Sequence, residues 1–374
     1  MPFSEPPSLP TIRWGIIATG LISSWFVEDL VLSRDDAKAK HIVQAVGSSS
    51  LEKGKAFVAR HIPDTSPTLY GSYEEVYADH NVDVVYIGTP HAFHKKNCLD
   101  AIAAGKHVLC EKAFTITAQE TREVLAAAKA RGVFVMEAMW TRFHPLVLTL
   151  RKMLHEDKVI GDIRRTFCDF GLDMNIAALG PESRLKNPEL GAGNLLDIGI
   201  YSLTWGLLTL DAGTGEKAGT PKIVAVQTLS HNIDIASSIL LHYPDSGRQG
   251  ILTSTTEIKS QPVFCQIEGT KGYITVQGLA ASVPDSFTVF AKAAGSITSN
   301  VSGEAKTSNG KTYTFDKNGK GFFWEADAVA LDIAARRHEN AIMPCAETLR
   351  VMEMLDEIRH QGGARFPQDD QKIL

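Results

Sequence analysis

Residues 14–23 read WGIIATGLIS, an apolar strand that runs straight into a helix through a tight Ala18-Thr19-Gly20 turn. Few short segments constrain a fold more. A helix start exposes N–H groups without intrahelical partners and the positive end of the peptide dipole, so a turn bare of bulky side chains lets a pyrophosphate rest directly on it. The segment departs from the usual G-x-G-x-x-G, because Ala18-Thr19-Gly20-Leu21-Ile22-Ser23 keeps only the middle glycine. The expectation is a dinucleotide-binding turn made by Ala18, Thr19, Gly20, Leu21 and Ile22. An ordinary strand-to-helix turn that happens to carry one glycine is the alternative.

The next strand-like run, 41–46, ends in Gly47-Ser48-Ser49-Ser50 with Lys53 beyond. A chain specific for NAD places an acidic residue there, on the adenosine ribose. None is present. A carboxylate would repel a 2′-phosphate, whereas Ser48, Ser49, Ser50 and Lys53 can donate hydrogen bonds and charge to it, so the expected cofactor is NADP. A polar loop that merely caps the helix starting at Leu51 accounts for the same residues.

The first part of the chain alternates strand and helix patterns, which forces a parallel, doubly wound sheet with helices on both faces. The strand candidates are 14–19, 41–47, 82–89, 107–111 and 133–139. Between the last two, Thr117 and Glu120 make the capping-box pattern of a helix start and Gly132 marks its end. From about residue 143 strands follow one another, at 163–172, 222–230, 237–243, 250–257, 263–268, 273–276 and 286–290, separated by Gly, Pro, Asp and Ser. They predict a large, open-faced, mostly antiparallel sheet. Helices are expected at about 194–210, 323–337 and 346–361, the last closed by Gly362-Gly363, and an exposed loop at 296–309.

At 374 residues the chain exceeds the size at which single cores stop growing. Two domains are expected, a Rossmann domain over 1–140 and a substrate-binding and dimerisation domain over 141–374. A net charge of -5 with basic residues spread along the chain gives nucleic acid or an anionic membrane nothing to bind. The five cysteines, Cys98, Cys110, Cys168, Cys265 and Cys345, form no C-x-x-C pair, which predicts free thiols and no metal site. The N-terminal MPFSEPPSLPT lacks the blocks of a signal peptide, so a cytoplasmic protein is expected.

Three further segments are distinctive: Gly88-Thr89-Pro90-His91 with His94; Gly105-Lys106-His107-Val108-Leu109-Cys110-Glu111-Lys112; and Gly191-Ala192-Gly193-Asn194-Leu195-Leu196-Asp197-Ile198-Gly199-Ile200-Tyr201. With the N-terminal turn they resemble the glucose–fructose oxidoreductase / inositol dehydrogenase / MocA family. Glu111-Lys112-Ala113-Phe114, Glu137-Ala138-Met139-Trp140-Thr141-Arg142-Phe143, Asn187-Pro188-Glu189-Leu190 and Phe323-Trp324-Glu325-Ala326-Asp327 are most similar to its branch of dimeric dihydrodiol dehydrogenases and fungal NADP-dependent D-xylose dehydrogenases. The resemblance covers nearly the whole chain. It implies a Rossmann domain followed by an open-faced sheet domain, and NADP held by the turn residues above with Thr89, Pro90, His91, His94, Glu111, Lys112, Trp140 and Arg142. The open sheet leaves one broad face that helices do not cover and that should be buried, which predicts a homodimer formed through it. Where the family usually has Glu-Lys-Pro with a cis proline, this chain has Ala113, so its backbone must be shaped there without proline.

Oxidising an alcohol or sugar hemiacetal needs a base for the hydroxyl proton. Tyr201 is the candidate. Bringing a tyrosine from a pKa of ~10 to near neutrality takes about 3–4 kcal/mol, and one ammonium ~4 Å away supplies about 4 kcal/mol at an effective dielectric near 20. Lys112 is the expected activator. Asp197 and Tyr201, spaced i, i+4, fall on one face of the expected helix; the resemblance gives Asp197 a substrate hydroxyl or the orientation of its neighbours. A half-buried aromatic and an aspartate near helix N–H groups would show the same spacing. His91 and His94 lack the companions of a metal site, and Trp140 and Trp324 fit a pocket wall or a core equally well. The resemblance implies an NADP-dependent dehydrogenase of a pyranose, D-xylose or D-glucose, oxidised at C1 to the lactone. A trans-dihydrodiol dehydrogenase and a reductase of dicarbonyl sugars such as anhydrofructose stand beside it. A non-catalytic NADP-binding regulator is disfavoured by the joint presence of Lys112, Asp197 and Tyr201.

Overall fold

The computed structural model describes residues 9–292 and 309–370. It divides into two compact units, Met1–Thr115 with Gln119–Trp140 and Lys317–Thr348, and Ile116–Ala118 with Thr141–Asp316 and Leu349–Leu374.

In the first unit the chain runs β1 (Thr11–Ile17), α1 (Leu21–Leu30), β2 (Lys40–Gly47), α2 (Leu51–His61), β3 (Thr68–Tyr70), α3 (Tyr73–Ala78), β4 (Val84–Ile87), α4 (His94–Ala103), β5 (His107–Glu111), α5 (Ala118–Arg131) and β6 (Val135–Ala138). The strands form a six-stranded parallel sheet in the order β3-β2-β1-β4-β5-β6, the doubly wound arrangement. All four residues of β4 are buried, because a parallel sheet between helix layers has no wet face. Burial of each such Val or Ile contributes about 1.5–3 kcal/mol. Gly15 is required by this packing, since a Cβ there would stand 2.7 Å from Val76 of α3. The short edge strand β3, at 68–70, was not among the sequence candidates; a three-residue run shows no alternation to read.

In the second unit α6 (Pro145–His155) precedes β7 (Ile163–Gly171), a π-helical turn Leu195–Gly199 and α7 (Ile200–Leu210). Then come β8 (Lys222–Ser230), β9 (Ile233–Tyr243), β10 (Arg248–Thr255), β11 (Val263–Gly269), β12 (Gly272–Ala280), β13 (Val283–Ala291) and β14 (Lys311–Thr314). They build an eight-stranded sheet, β14-β13-β12-β11-β7-β10-β9-β8, antiparallel except where β7 lies parallel to β10. Every residue of α7 is buried; the helix packs on β7 and β10, and a Cβ on Gly206 would reach Leu252 at 2.7 Å. The opposite face of the sheet carries Val224, Leu240, Ile251 and Phe167 in register across four strands. Strand β9 starts at Ile233, four residues before the expected 237. His231 and Asn232, with φ of 55° and 63°, make a two-residue hairpin turn of the kind that matches strand twist. The loop expected over 296–309 lies outside the described residues but for its last.

One boundary differs from the sequence expectation of a second domain over 141–374. Residues 317–348 belong to the first unit. There α8 (Phe322–Ala334) packs on α1. Asp29 of α1 accepts hydrogen bonds from the backbone N–H groups of Lys320, Gly321 and Phe322, capping α8 from another helix. Asp327 accepts from Arg34 at 2.8 Å and lies 2.9 Å from His41, whose other ring nitrogen meets the Trp14 indole N–H at 3.1 Å. The last helix, α9 (Cys345–Gly362), closes with Gly363 at φ 89°.

Candidate active site

The turn after β1 has the surface a pyrophosphate needs. Gly20 caps α1 with no side-chain hydrogen bond, α1 has no acid in its first turn, and a Cβ built on Gly20 meets nothing within 4 Å. Those N–H groups and the dipole therefore face a bare surface. Ala18 holds a left-handed φ of 75°, a conformation that costs an alanine about 1–2 kcal/mol and a glycine nothing. Its N–H donates to Gly47 O at 3.2 Å, and Thr19 Oγ1 lies 3.4 Å from Ser48 Oγ, which ties this turn to the end of β2.

At the end of β2 the four residues assigned to a 2′-phosphate divide. Ser48 is buried, and Ser50 Oγ caps α2 by accepting from Lys53 N–H at 3.3 Å. Ser49 and Lys53 are exposed, and the ammonium donates to Ser49 Oγ at 3.1 Å. The cap reading thus holds for Ser50, while Ser49 and Lys53 present a hydroxyl and a charge to solvent with no acid in the loop.

Beyond β4, His94 is wholly buried, its ring nitrogens 2.8 Å from Thr89 O and 3.0 Å from Ala113 O. Two carbonyls favour an imidazolium, yet burial outweighs them and holds the ring below its ordinary pKa. His94 joins the loop after β4 to the loop after β5 through these two backbone carbonyls. His91 Nε2 lies 3.3 Å from Lys112 O. Glu111 is buried and accepts from Tyr86 Oη at 2.7 Å and from Lys112 N–H at 3.3 Å. The Lys112–Ala113 peptide is cis, so the backbone shape that the family usually gives to proline is present without it. Trp140 is buried and stacks on Phe322 with centroids 4.2 Å apart and planes at 4°, which makes it core rather than an exposed pocket wall. Trp324 is half-buried, edge-on to Phe323 at 4.8 Å.

In the second unit Arg142 is buried, and Tyr201 stands in the first turn of α7, 4 % exposed, edge-on to Phe170 at 5.6 Å. Asp197 lies in the π turn, its side chain 14 % exposed and its Oδ1 3.6 Å from Arg184 Nη1. The single α-helix expected over 194–210 therefore begins instead as a wider turn, in which the Ile200 N–H reaches back to Leu195 O. Such turns are frequent at functional sites.

Sequence reasoning missed the polar group beneath this turn. Asp234 of β9, 1 % exposed, accepts from Leu195 N–H at 2.7 Å and from Ser237 Oγ at 3.4 Å. Asn194 Nδ2 donates to Ser254 Oγ at 2.8 Å and Ser237 Oγ at 3.2 Å. A carboxylate inside the apolar alternation Ile233-Asp234-Ile235 was the available signal. Burial pushes the Asp234 carboxyl up to about 6 from an ordinary 3.8, against the hydrogen bonds that lower it. The folded chain then holds this proton more tightly than the unfolded chain between those values, so the group costs stability above pH 6 and the cost is relieved as pH falls through it. Asp234→Asn should accordingly gain about 2–3 kcal/mol relative to the parent on going from pH 4 to pH 7.5. Urea unfolding at the two pH values measures it; an unchanged difference would show that Asp234 is ionised in both.

Among the described residues no three His, Cys, Asp or Glu side chains converge as a metal site, and no helix is long and apolar enough to cross a membrane.

Comparison with known proteins agrees with these features. Residues 12–139 match the model of an oxidoreductase family with an NAD-binding Rossmann fold, and residues 147–275 match the GFO/IDH/MocA C-terminal domain. The chain is 33% identical to a D-xylose 1-dehydrogenase (NADP(+)) of Hypocrea jecorina, over 96% of this chain and 94% of that protein. The chain belongs to the GFO/IDH/MocA oxidoreductase family. It is also 36% identical to the trans-1,2-dihydrobenzene-1,2-diol dehydrogenase of Sus scrofa, over 96% of this chain and 99% of the other. Among solved structures, a 3-ketoreductase from Actinomadura kijaniata in complex with NADP and TDP-benzene superposes with a TM-score of 0.75 at 21% identity, covering 94% of this family member and 98% of that chain. A levoglucosan dehydrogenase in complex with NADH and levoglucosan gives 0.76 at 18% identity, covering 94% and 97%.

Proposed function

We propose that this oxidoreductase is an NADP-dependent dehydrogenase that oxidises a pyranose, D-xylose or D-glucose, at C1 to the lactone. The observation that carries this reading is the near full-length similarity to an NADP-dependent D-xylose dehydrogenase. The bare turn at Gly20 and the exposed Ser49–Lys53 pair support the cofactor. Thr19, Gly20 and the N–H groups of α1 would hold the pyrophosphate, and Ser49 and Lys53 the 2′-phosphate. Bound NADP supplies the hydride acceptor. Tyr201 takes the proton of the hydroxyl being oxidised, Lys112 favours its phenolate, and Asp197 orients the sugar by accepting from a neighbouring hydroxyl. Steady-state reduction of NADP with a panel of aldoses and trans-dihydrodiols tests the reading. Turnover confined to the dihydrodiols would establish the second reading, which the similarity to the Sus scrofa enzyme favours.

NADP should bind at least tenfold more tightly than NAD, a difference of about 1.4 kcal/mol. A fluorescence titration giving equal affinities would contradict the assignment of Ser49 and Lys53. We also place the enzyme in the cytoplasm, a reading supported by free cysteines of which four are buried.

A homodimer through the open sheet face is the proposed assembly. Val226 and Val224, 68% and 58% exposed on β8, and Leu240 on β9 form an apolar strip on that face, which a second copy would remove from water. Val226→Glu should yield a monomer by light scattering at micromolar concentration. A parent chain that is itself monomeric there would refute the dimer.

A further inference from the structure

The buried Asp234 does nothing that the proposed chemistry requires of it directly, and it is expensive. A carboxylate in a dry interior costs several kcal/mol, and an apolar residue of similar volume often packs as well or better. What it touches explains its presence. Its Oδ2 accepts the N–H of Leu195, the first residue of the π turn. Its Oδ1 occupies the space in which a Cβ on Gly193 would stand, and Gly193 has a φ of 149° that side chains rarely adopt. Asn194, wholly buried between these two contacts, donates to Ser237 and Ser254, which are register partners on β9 and β10. Gln227 of β8 donates to the same Ser237 oxygen at 3.1 Å. A Cβ on Gly199 would come within 2.8 Å of Ser254 Oγ, so the far end of the turn also lies close on the sheet. Asn194 and Leu195 are thus hydrogen-bonded to the sheet and Gly193 lies close against it, with only Leu196 between them and Asp197.

We propose that Asp234 is a positioning residue for the reaction: with Asn194, Ser237 and Ser254 it fixes the start of the π turn, and thereby the placement of Asp197 and Tyr201, while touching neither substrate nor cofactor. Its premise is the acid/base role proposed for Tyr201. A π turn is a rare local geometry, and side-chain and backbone hydrogen bonds at defined distances select one geometry where an apolar core tolerates several. Displacement of a reacting group by ~1 Å costs on the order of 10²-fold in rate, which sets the effect to look for.

The test is a double-mutant cycle on the full-length chain, using whichever aldose or dihydrodiol the parent turns over best. Asp234→Ala should lower kcat by on the order of 10²-fold and leave the dissociation constant for NADP within about threefold. Asp234→Asn, which keeps an acceptor for the Leu195 N–H, should recover kcat to within about tenfold of the parent. In a Tyr201→Phe background, Asp234→Ala should cost clearly less than the loss it causes in the parent, because one of the two groups it places has already been removed. Full additivity in the cycle, or an equal loss of NADP affinity, would overturn the positioning role. Should Asp234→Ala fail to fold, Asn194→Ala takes its place in the cycle, since it releases the neighbouring attachment, with the same two outcomes. Failure of the underlying mechanism looks different: Tyr201→Phe alone would then retain turnover, before any change at Asp234.

Discussion

Replacing Tyr201 with phenylalanine should reduce turnover by on the order of 10²–10⁴, the range seen when a positioned acid/base is removed. The ring, and with it the edge-on contact to Phe170, stays, so folding is preserved. NADP affinity should change little, because the phenol oxygen is not among the groups assigned to the dinucleotide. Steady-state kinetics with the best aldose or dihydrodiol, alongside an NADP titration, separates the two quantities: kcat and kcat/KM should fall together. If the variant turned over every tested aldose and dihydrodiol at a near-normal rate, the base would have to be sought at Asp197 or His91. His94 is a poor substitute, since it is wholly buried with both ring nitrogens facing carbonyl oxygens.

Lys112→Met should be comparably damaging and should carry a second signature. An ammonium beside a phenol favours the phenolate, so removing it makes the proton harder to lose. In the oxidative direction the rate of the variant should therefore rise only at higher pH than that of the parent, each pH unit of displacement meaning about tenfold less active base at neutrality. Methionine keeps the unbranched stem and removes only the charge. A pH–rate profile of unchanged shape and reduced height would assign Lys112 to binding rather than to activation of Tyr201.

The doubly wound sheet could be read from the chain because its strands are bounded by punctuation that physics demands: Gly20 before α1, Gly132 after α5, and apolar runs too short for helices. The open-faced sheet was legible for the same reason, through its Gly, Asp and Ser turns. Features that depend on contacts distant in sequence were not. Nothing local in 317–348 announces that Asp29 will cap α8, because the acceptor lies nearly 300 residues away. Of the serines expected to hold the 2′-phosphate, Ser48 and Ser50 differ from Ser49 only in which way the loop turns them, and a run of identical serines contains no such information. The two backbone carbonyls that His94 faces, Thr89 O and Ala113 O, belong to loops after different strands, and no spacing around His94 names the second of them. Asp234 breaks the apolar alternation Ile233-Asp234-Ile235, but that break names no partner, and the Leu195 N–H it accepts lies 39 residues earlier.

The return of 317–348 to the first unit affects how the protein can be made. A ribosome releases the dinucleotide-binding half of the sequence first, but that half lacks α8 until some 180 further residues, residues 141–316 among them, have emerged. Until then Phe26 and Trp140 have no Phe322 to pack against, and Asp29 has no backbone N–H groups to receive. Cotranslational folding in the usual N-to-C order, one unit finished before the next begins, is therefore denied to this chain. A fragment ending at residue 140 carries the whole nucleotide-binding turn and an open aromatic surface, whereas a shortened chain joining 140 to 317 through a brief linker would restore the missing helix to the sheet it belongs to.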